Sequence, residues 1–400
     1  MALRDEARGT VVRDRARTSI FYDPRFRAIV SQAAVVAGLV LLVVWIVDNT
    51  IANLQRANIA SGFDFLSTRA GFDISQSLIA YSPERSYARA FLVGLLNTLL
   101  VAAIGIVVAT IIGFLVGIAR LSRNWIVARI AAVYVETLRN IPVLLQLLFW
   151  YRAVLSILPG PRQAIDLPLG GSLSNRGLLL PSPVLSEGFF ATPIAFAAAV
   201  LAAIAVAVWA RRRQMATGQP FPTLWTNLAI IVVGTLVVFL ATGAPLSFEF
   251  PELKGFNFVG GLHVLPEFLA LLLGLSLYTA TYIAEIVRAG ILAVAPGQTE
   301  AAFALGLRPG VTMRRVVVPQ AMRVIIPPLT SQYLNLTKNS SLAVAVAYPD
   351  LVLVFAGTVL NQTGQAVEVI FITMLVYLAI SLATSAFMNW FNRRVALVER

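Results

Sequence analysis

Charged side chains that could perform chemistry lie inside or beside strongly apolar stretches of this sequence. Two acid–base pairs, Glu136 with Arg139 and Glu285 with Arg288, have the i,i+3 spacing that places both members on one helix face, so each charge has a predicted local partner. These could be interfacial ion pairs that reach water, or they could belong to a gate or a substrate contact. The spacing alone leaves both interpretations open.

Lys338 is the most demanding of these charges, because it lies near the middle of a predicted membrane segment among amide and hydroxyl side chains. An unpaired ammonium group in hydrocarbon costs at least ~2.5 kcal/mol, so Lys338 must face a wet cavity or a partner. Asn339, Ser340 and Ser341 follow it directly. The cluster could therefore line a polar pathway, or it could form a contact with another subunit.

Composition excludes several classes of reactive site. The absence of cysteine rules out a disulfide framework, a thiolate zinc site, an iron–sulfur cluster and a cysteine nucleophile. The single histidine, His263, excludes a multi-histidine metal site, and we assign it no role. The two lysines, Lys254 and Lys338, follow Leu and Thr, so neither belongs to a Walker A loop. We expect no catalytic residue, no bound metal or cofactor, and no ATP hydrolysis by this chain in the P-loop manner.

The elements that position these residues are predicted to be membrane helices. Apolar residues make up 58% of the chain and charged residues only 12%, against ~45–50% apolar in soluble domains. The net charge of +12 lies between the apolar runs, which favours membrane topology over nucleic-acid binding. Runs long enough to cross a bilayer cover 29–47, 91–118, 130–158, 190–210, 228–242, 265–294 and 370–391.

An eighth crossing is needed if the arginine-rich C-terminus is to remain in the cytoplasm. The candidate is 324–347, a segment whose polar side chains must face protein or a cavity. With eight spans, 21 Lys and Arg residues lie on the cytoplasmic side and seven outside. We therefore predict an all-α integral membrane protein with about eight transmembrane helices, both termini cytoplasmic, and an uncleaved first helix. Gly113 and Gly117 have the spacing that permits close helix packing in the second span.

The connection that follows the sixth apolar run, 296–310, predicts a short exposed helix. Thr299 is expected to cap its N-terminus, and Glu300 in the first turn suits the positive end of the helix dipole. Pro309 and the glycine after it are expected to end the helix. Its small side chains would form a knob of low relief, which could dock into a groove on a partner.

This connection resembles the EAA loop of ABC-importer permeases, in which Glu-Ala-Ala is followed at fixed spacing by Gly, two aliphatic residues and Pro. The residues that fill the pattern are Glu300, Ala301, Ala302, Gly306, Val316, Val318 and Pro319. Valine stands where Ile and Leu are more usual at the two aliphatic positions. The resemblance implies that five of these residues couple the chain to an ATPase: Glu300, Ala301, Ala302, Gly306 and Pro319.

Further stretches resemble the polar amino-acid importers of the histidine-permease type: 136–142 with Gln146, 284–290, and 338–342. The resemblance covers about 91–158 and 265–391. The first anchor and the insert with spans four and five match the longer subunit type of general L-amino-acid importers. The residues predicted to line the substrate path or gate are Glu136, Arg139, Gln146, Glu285, Arg288, Lys338, Asn339, Ser340 and Ser341.

The resemblance implies an ABC-importer type I permease core in the bacterial inner membrane. The resemblance implies three partners. One is an ATPase subunit, expected as a dimer, that uses ATP. The others are a second permease subunit, expected to be a different chain, and a periplasmic amino-acid binding protein. Within the path, Lys338 could bind the carboxylate of a zwitterionic amino acid, and Glu136 or Glu285 its ammonium. The alternative functions are an ion-coupled secondary transporter, which would need carboxylates at mid-membrane depth, and a membrane-embedded enzyme.

The expected organisation divides the chain into a cytoplasmic end, an anchor, two halves of a core and an insert. The boundaries are a basic cytoplasmic N-terminus at 1–28, the anchor at 29–47, a periplasmic segment at 48–90, the first core part at 91–158, a periplasmic loop with two added helices at 159–264, the second core part at 265–391 with the coupling loop at about 296–320, and a cytoplasmic tail at 392–400.

Overall fold

The computed structural model describes residues 24–56 and 61–395, so most of the predicted basic N-terminus and part of the C-terminal tail lie outside the described residues. The described chain is mainly helical. In chain order the α-helices are α1 (Pro24–Arg56), α2 (Tyr87–Ala119), α3 (Trp125–Asn140), α4 (Val143–Leu148), α5 (Ala191–Thr217), α6 (Thr223–Ala241), α7 (Pro266–Leu292), α8 (Pro296–Ala304), α9 (Pro309–Thr312), α10 (Val318–Asn339), α11 (Leu360–Thr363) and α12 (Ala366–Val395).

Six helices in the described part of the chain are long and apolar enough to cross a membrane: α1, α2, α5, α6, α7 and α12. They confirm six of the seven predicted apolar runs. Large aliphatic side chains project outward from α1, α5 and α6, as expected for surfaces that face lipid. The fold is therefore that of an α-helical integral membrane protein.

The remaining predicted run, 130–158, is bent within its length, and it gives a seventh candidate span if the bent pair of helices is counted as one. The helical stretch 143–157, which includes α4, leaves the direction of α3 at an angle of 105°. Pro142 explains the break, because a proline disfavours helical backbone at the preceding residue. Ile141 is accordingly extended, with φ −92° and ψ 127°.

The polar eighth crossing is longer and more broken than the predicted 324–347. After α10 the chain forms a tight 3₁₀ stretch, Ser340–Val346, and reverses at Ala347, where φ is 60°. A wide π-helical stretch, Val352–Val359, then leads into α11. The predicted end at Ala347 was therefore wrong, because the chain only breaks there before it continues in the same crossing.

Contacts with α2 show how far this segment travels. The Thr110 hydroxyl donates to Tyr333 at 3.0 Å, and the Tyr87 hydroxyl donates to the Gln362 side chain at 3.0 Å. The two α2 residues are roughly 23 positions apart, which corresponds to about 34 Å of helix axis. Because a bilayer core is about 30 Å thick, the segment from α10 to α11 covers a full crossing.

Helices α2 and α7 pack side by side at the centre of the fold. A Cβ atom at Gly113 would lie 2.6 Å from Cβ of Ile283, and one at Gly117 would lie 2.8 Å from the Ala284 carbonyl oxygen. Both distances are too short for a side chain, so these glycines let the helix backbones approach each other. The predicted close packing in the second span is confirmed.

Eight short β-strands in the insert were not predicted. They are β1 (Ile165–Leu167), β2 (Gly171–Ser174), β3 (Gly177–Leu180), β4 (Ser182–Leu185), β5 (Leu246–Glu249), β6 (Glu252–Lys254), β7 (Asn257–Val259) and β8 (Leu262–Val264). One antiparallel sheet has the order β1-β2-β3-β8, while β4 pairs with β5 and β6 with β7. Pairing of β3 with β8 brings both ends of the α5–α6 hairpin to the start of α7.

The predicted external segment 48–90 is partly helical, because α1 continues to Arg56 and α2 begins at Tyr87. The chain between them covers the start of α12, where the Gly62 N–H donates to the Glu368 carboxylate at 2.7 Å. Phe65 packs against Phe355 with ring centroids 6.2 Å apart. The starts of α2 and α12 therefore lie at one face of the molecule.

Candidate functional site

The predicted short helix after α7 is present as α8, but it begins earlier than predicted. Its first residue is Pro296, whose missing N–H suits the first helical position, and Ala295 precedes it. Thr299 and Glu300 consequently lie inside the helix. The expectations that Thr299 caps α8 and that Glu300 occupies its first turn were wrong.

The end of α8 is a Schellman motif. The N–H of Gly306 donates to the Phe303 carbonyl at 2.9 Å, and the N–H of Leu307 donates to the Ala302 carbonyl at 3.1 Å. Gly306 has φ 75°, and a Cβ there would meet nothing within 4 Å, so glycine is required by the backbone conformation. The predicted stop at Pro309 was wrong, since α8 has already ended and Pro309 begins α9.

The surface of α8 is more apolar than the sequence analysis anticipated. Ala302 is buried beneath the helix, whereas Ala301 faces outward. Phe303 is 48% exposed and Leu305 is 80% exposed, and neither was among the predicted site residues. The knob therefore presents two large apolar side chains in addition to small ones. A pattern centred on Glu-Ala-Ala could not single them out.

The remaining motif residues connect α8 to the polar crossing. Pro319 lies exposed in the first turn of α10, while Val317, the residue directly before α10, is buried. The Gln320 side-chain amide donates to the Gln298 side chain at 3.3 Å, which links α10 to α8. Because α8 is joined to α7 on one side and to α10 on the other, displacement of α8 bears on both helices.

The predicted Glu285–Arg288 pair is confirmed, and it has a third member. Arg288 donates to the Glu285 carboxylate from Nε at 3.2 Å and from a terminal nitrogen at 2.6 Å. Arg120, at the end of α2, binds the other carboxylate oxygen. Two guanidinium groups thus neutralise one carboxylate, and the cluster ties α2 to α7 near α8. Arg120 could not be predicted as a partner from local spacing, because it lies 165 positions from Glu285 in the chain.

The predicted Glu136–Arg139 ion pair was wrong. The Arg139 guanidinium lies 5.0 Å from the centre of the Tyr282 ring, a cation–π geometry. Among the described residues Glu136 has no ion-pair partner, and its side chain is exposed. The i,i+3 spacing is present, but an aromatic ring on α7 offers the arginine a different contact.

Gln146 braces the bend between α3 and α4. Its side-chain nitrogen donates to the carbonyl oxygens of Leu138 at 2.7 Å and of Ile141 at 2.9 Å. These carbonyls belong to the end of α3, where the break removes their helical partners. Gln146 itself is buried. The structure thus gives this predicted path residue a bracing role, and its contact with substrate stays a prediction.

Lys338 lines a cavity of about 550 Å³ between α10 and α12, together with Ser341 and Tyr377. In the described part of the chain Lys338 has no ion-pair partner, and its side chain is exposed. Ser341 bonds the Lys338 carbonyl at 2.7 Å, and the buried Ser340 bonds the Thr337 carbonyl at 2.7 Å. The structure brings Lys338 and Ser341 to the cavity, while Asn339 and Ser340 are not among its lining residues.

Comparison with known proteins agrees with this geometry. Residues 212–397 match the family model described as "Binding-protein-dependent transport system inner membrane component". The general L-amino acid transport system permease protein AapQ of Rhizobium johnstonii is 57% identical over 382 residues, 96% of this chain and 95% of that protein. The chain belongs to the permease subunits of polar amino-acid ABC importers. As a permease of this family it is a multi-pass protein of the inner membrane.

Two further relatives match the permease over nearly its whole length. The putative amino-acid ABC transporter permease protein YhdX of Escherichia coli K12 is 52% identical, over 95% of this chain and 97% of that protein. The glutamate/glutamine/aspartate/asparagine transport system permease protein BztB of Rhodobacter capsulatus is 43% identical, over 95% and 96%. The coverage includes the first anchor and the insert, so the family relation is not confined to the core.

Asp350 is a polar residue of the permease that the sequence analysis missed. It is fully buried at the break in the polar crossing, where its carboxylate accepts from the Leu353 N–H at 2.8 Å. Pro349 beside it accepts from Asn97, which is 10 residues into α2 and hence about 15 Å from its start. A carboxylate therefore lies at about half the depth of the crossing, the depth at which an ion-coupled secondary transporter would need one.

Proposed function

We propose that this permease forms a translocation path for L-amino acids with a second permease subunit of different sequence, and that α8 couples the path to a separate ATPase. The observation that carries the proposal is the exposed apolar end of α8, where Leu305 and Phe303 project outward from a short helix with a defined stop. Exposed apolar side chains on a polar face of a protein mark a contact surface. The partner that we propose for this surface is an ATPase subunit with an apolar groove that receives the end of α8.

The mechanical link from α8 to the path follows from its attachments. α8 follows α7 after a break of three residues, and the end of α7 is held to α2 by the Glu285 cluster. A hydrogen bond from Gln320 to Gln298 links α8 to α10. α10 carries Lys338 into the cavity. Packed helices move as rigid units between alternative arrangements, so motion of a docked ATPase would change the shape of the cavity.

The Lys338 cavity is the proposed route of the substrate. An amino acid that leaves water needs a partner for its carboxylate. The Lys338 ammonium group, which has no ion-pair partner among the described residues, and the Ser341 hydroxyl group supply one. Glu285 would have to give up a guanidinium group before it could receive the substrate ammonium. Glu136 is exposed and needs no such displacement. The relative named for general L-amino acid transport supports a broad L-amino-acid substrate class.

The proposed orientation places α8 and both chain termini in the cytoplasm and the β-strands of the insert in the periplasm. Arg120 and Arg288 lie near the α8 face, which agrees with the preference of arginine for the cytoplasmic side. A periplasmic binding protein would then deliver the amino acid at the opposite face. Single cysteines introduced at Gly297 and Lys254 should label only from the cytoplasm and only from the periplasm, respectively, and the reverse pattern would contradict the orientation.

The coupling proposal is tested by Leu305→Asp, with Leu253→Asp as the matched control. Both leucines are exposed, but Leu253 lies on the insert strand β6. We expect Leu305→Asp to insert in the membrane and to abolish co-purification of the ATPase, because a carboxylate cannot be buried in an apolar groove without cost. Leu253→Asp should retain the ATPase. Normal recovery of the ATPase with both variants would contradict the role of α8.

A further inference from the structure

A second polar cavity lies where the insert meets the core, at the face opposite α8. It has a volume of about 270 Å³ and is lined by residues from the bent span, from the β2–β3 turn, from β8 and from the start of α7. We call it the junction pocket. Its polar lining residues are Tyr151, Ser156, Asn175, Arg176, His263 and Glu267.

The junction pocket holds two opposite charges that do not pair with each other. Within the described residues, neither Arg176 nor Glu267 takes part in an ion pair. Glu267 is oriented by Tyr151, whose hydroxyl donates to the carboxylate at 2.9 Å. A guanidinium group and a carboxylate group that line the same small cavity, but remain apart, leave room for a ligand between them.

The backbone around Arg176 is fixed in place. The His263 Nε2 donates to the Arg176 carbonyl oxygen at 2.7 Å, which assigns a structural contact to the single histidine. Gly177 has φ 113°, and a Cβ there would lie 2.2 Å from the Val264 carbonyl oxygen, so only glycine permits this approach to β8. The turn that carries Arg176 is thus held beside the start of α7, while Arg176 itself is exposed and lines the junction pocket.

We propose that the junction pocket binds a free α-amino acid, with its carboxylate on Arg176 and its ammonium on Glu267. A simple anion would be repelled by Glu267, and a simple cation by Arg176, whereas a zwitterion satisfies both groups. In the described part of the chain no group of three potential metal ligands occurs, so a metal ion does not fit the pocket. The cavity is close to the lower end of the volume range of ligand pockets, which suits a molecule of amino-acid size.

The location suggests what this site does, and this step rests on the proposed function. The pocket lies on the proposed periplasmic face, between the insert and the core, and outside the Lys338 cavity. An amino acid bound there would bridge β2–β3 to α7 and Tyr151. In permeases that carry this insert, the pocket would be a binding site at the periplasmic entrance, which the amino acid occupies before it enters the path.

The test measures binding of radiolabelled L-glutamine to the assembled transporter in nanodiscs, without the binding protein. Arg176→Gln and Glu267→Gln should each weaken binding by about tenfold or more, because each removes one charge-assisted contact. Lys254→Gln, on the exposed β6–β7 hairpin, is the matched control and should bind normally. Glutaramate and 4-aminobutanamide, which each lack one of the two charged groups, should compete at least tenfold less well than L-glutamine.

Several outcomes would overturn the junction pocket as a binding site. Glutamine binding that is absent from the wild-type transporter, or equal in Arg176→Gln and the control, would do so. Loss of binding in Lys338→Met, together with unchanged binding in both junction variants, would place the ligand in the path cavity instead. ATP-driven uptake with loaded binding protein, measured after the same variants are reconstituted in proteoliposomes, separates the two proposals. If uptake persists while the junction variants leave glutamine binding unchanged, the proposed function stands and the junction pocket fails.

Discussion

Replacement of Gly306 tests whether the end of α8 needs glycine for its left-handed backbone or for its lack of a side chain. If glycine is needed because of its left-handed backbone, Gly306→Ala should be harmful even though its methyl group meets nothing within 4 Å. The left-handed conformation costs an L-residue about 1–2 kcal/mol, which lowers the population of the ordered helix end by about 5- to 30-fold relative to competing conformations. Gly306→Asn should be milder, because Asn tolerates this conformation.

The assay is the apparent affinity of the reconstituted permease for the ATPase, together with ATP hydrolysis stimulated by loaded binding protein. Gly297→Ala is the matched control, since Gly297 lies in the same helix, is open to solvent and has no left-handed backbone. We expect Gly306→Ala to lose the most affinity for the ATPase and Gly306→Asn to lose less, while Gly297→Ala keeps the wild-type affinity. Equal affinity for Gly306→Ala and Gly297→Ala would refute the argument from backbone conformation.

Three further predictions concern the packing that supports the path. Gly113→Val should overpack the α2–α7 contact, destabilise the fold by roughly 1–3 kcal/mol and lower the thermal unfolding temperature of the solubilised permease. Gly38→Val on α1 is the control and should leave that temperature unchanged. Equal unfolding temperatures for the two variants would contradict the packing argument. Gln146→Leu should orphan two carbonyl groups at roughly 1–3 kcal/mol each and reduce both stability and transport, and wild-type values for both would contradict its bracing role. Glu285→Gln should leave two arginines uncompensated and increase hydrogen exchange at the α8 ends of α2 and α7, so unchanged protection would argue against the cluster.

The long apolar spans could be predicted because their lengths and compositions are sufficient evidence for helices in lipid. The polar crossing was predicted only from the parity of the spans, and its true course was missed because its break depends on tertiary contacts. Asn97 and Thr98 on α2 bind Pro349 and Leu351 at that break. No local sequence pattern in the polar crossing predicts these contacts with α2.

Partner choice between distant residues was the least predictable feature of the site. Glu285 and Arg288 paired as their spacing suggests, while Arg139 turned to an aromatic ring on another helix. Sequence spacing predicts which side chains are neighbours on one helix. Packing against other helices determines which of the possible partners each charged side chain contacts. The strands of the insert were missed for a related reason: each has three or four residues, which is too short for an alternating pattern to be recognised.

The central claim is that uptake through this permease is driven by ATP through α8. The direct measurement is amino-acid uptake into proteoliposomes that contain the permease, its second permease subunit and the ATPase, with loaded binding protein outside and ATP inside. We predict uptake that requires ATP, that is lost in Leu305→Asp and in Glu300→Lys, and that needs no ion gradient. Uptake driven by a proton or sodium gradient in the absence of ATP, for which the buried Asp350 would be a candidate carrier group, would contradict the account.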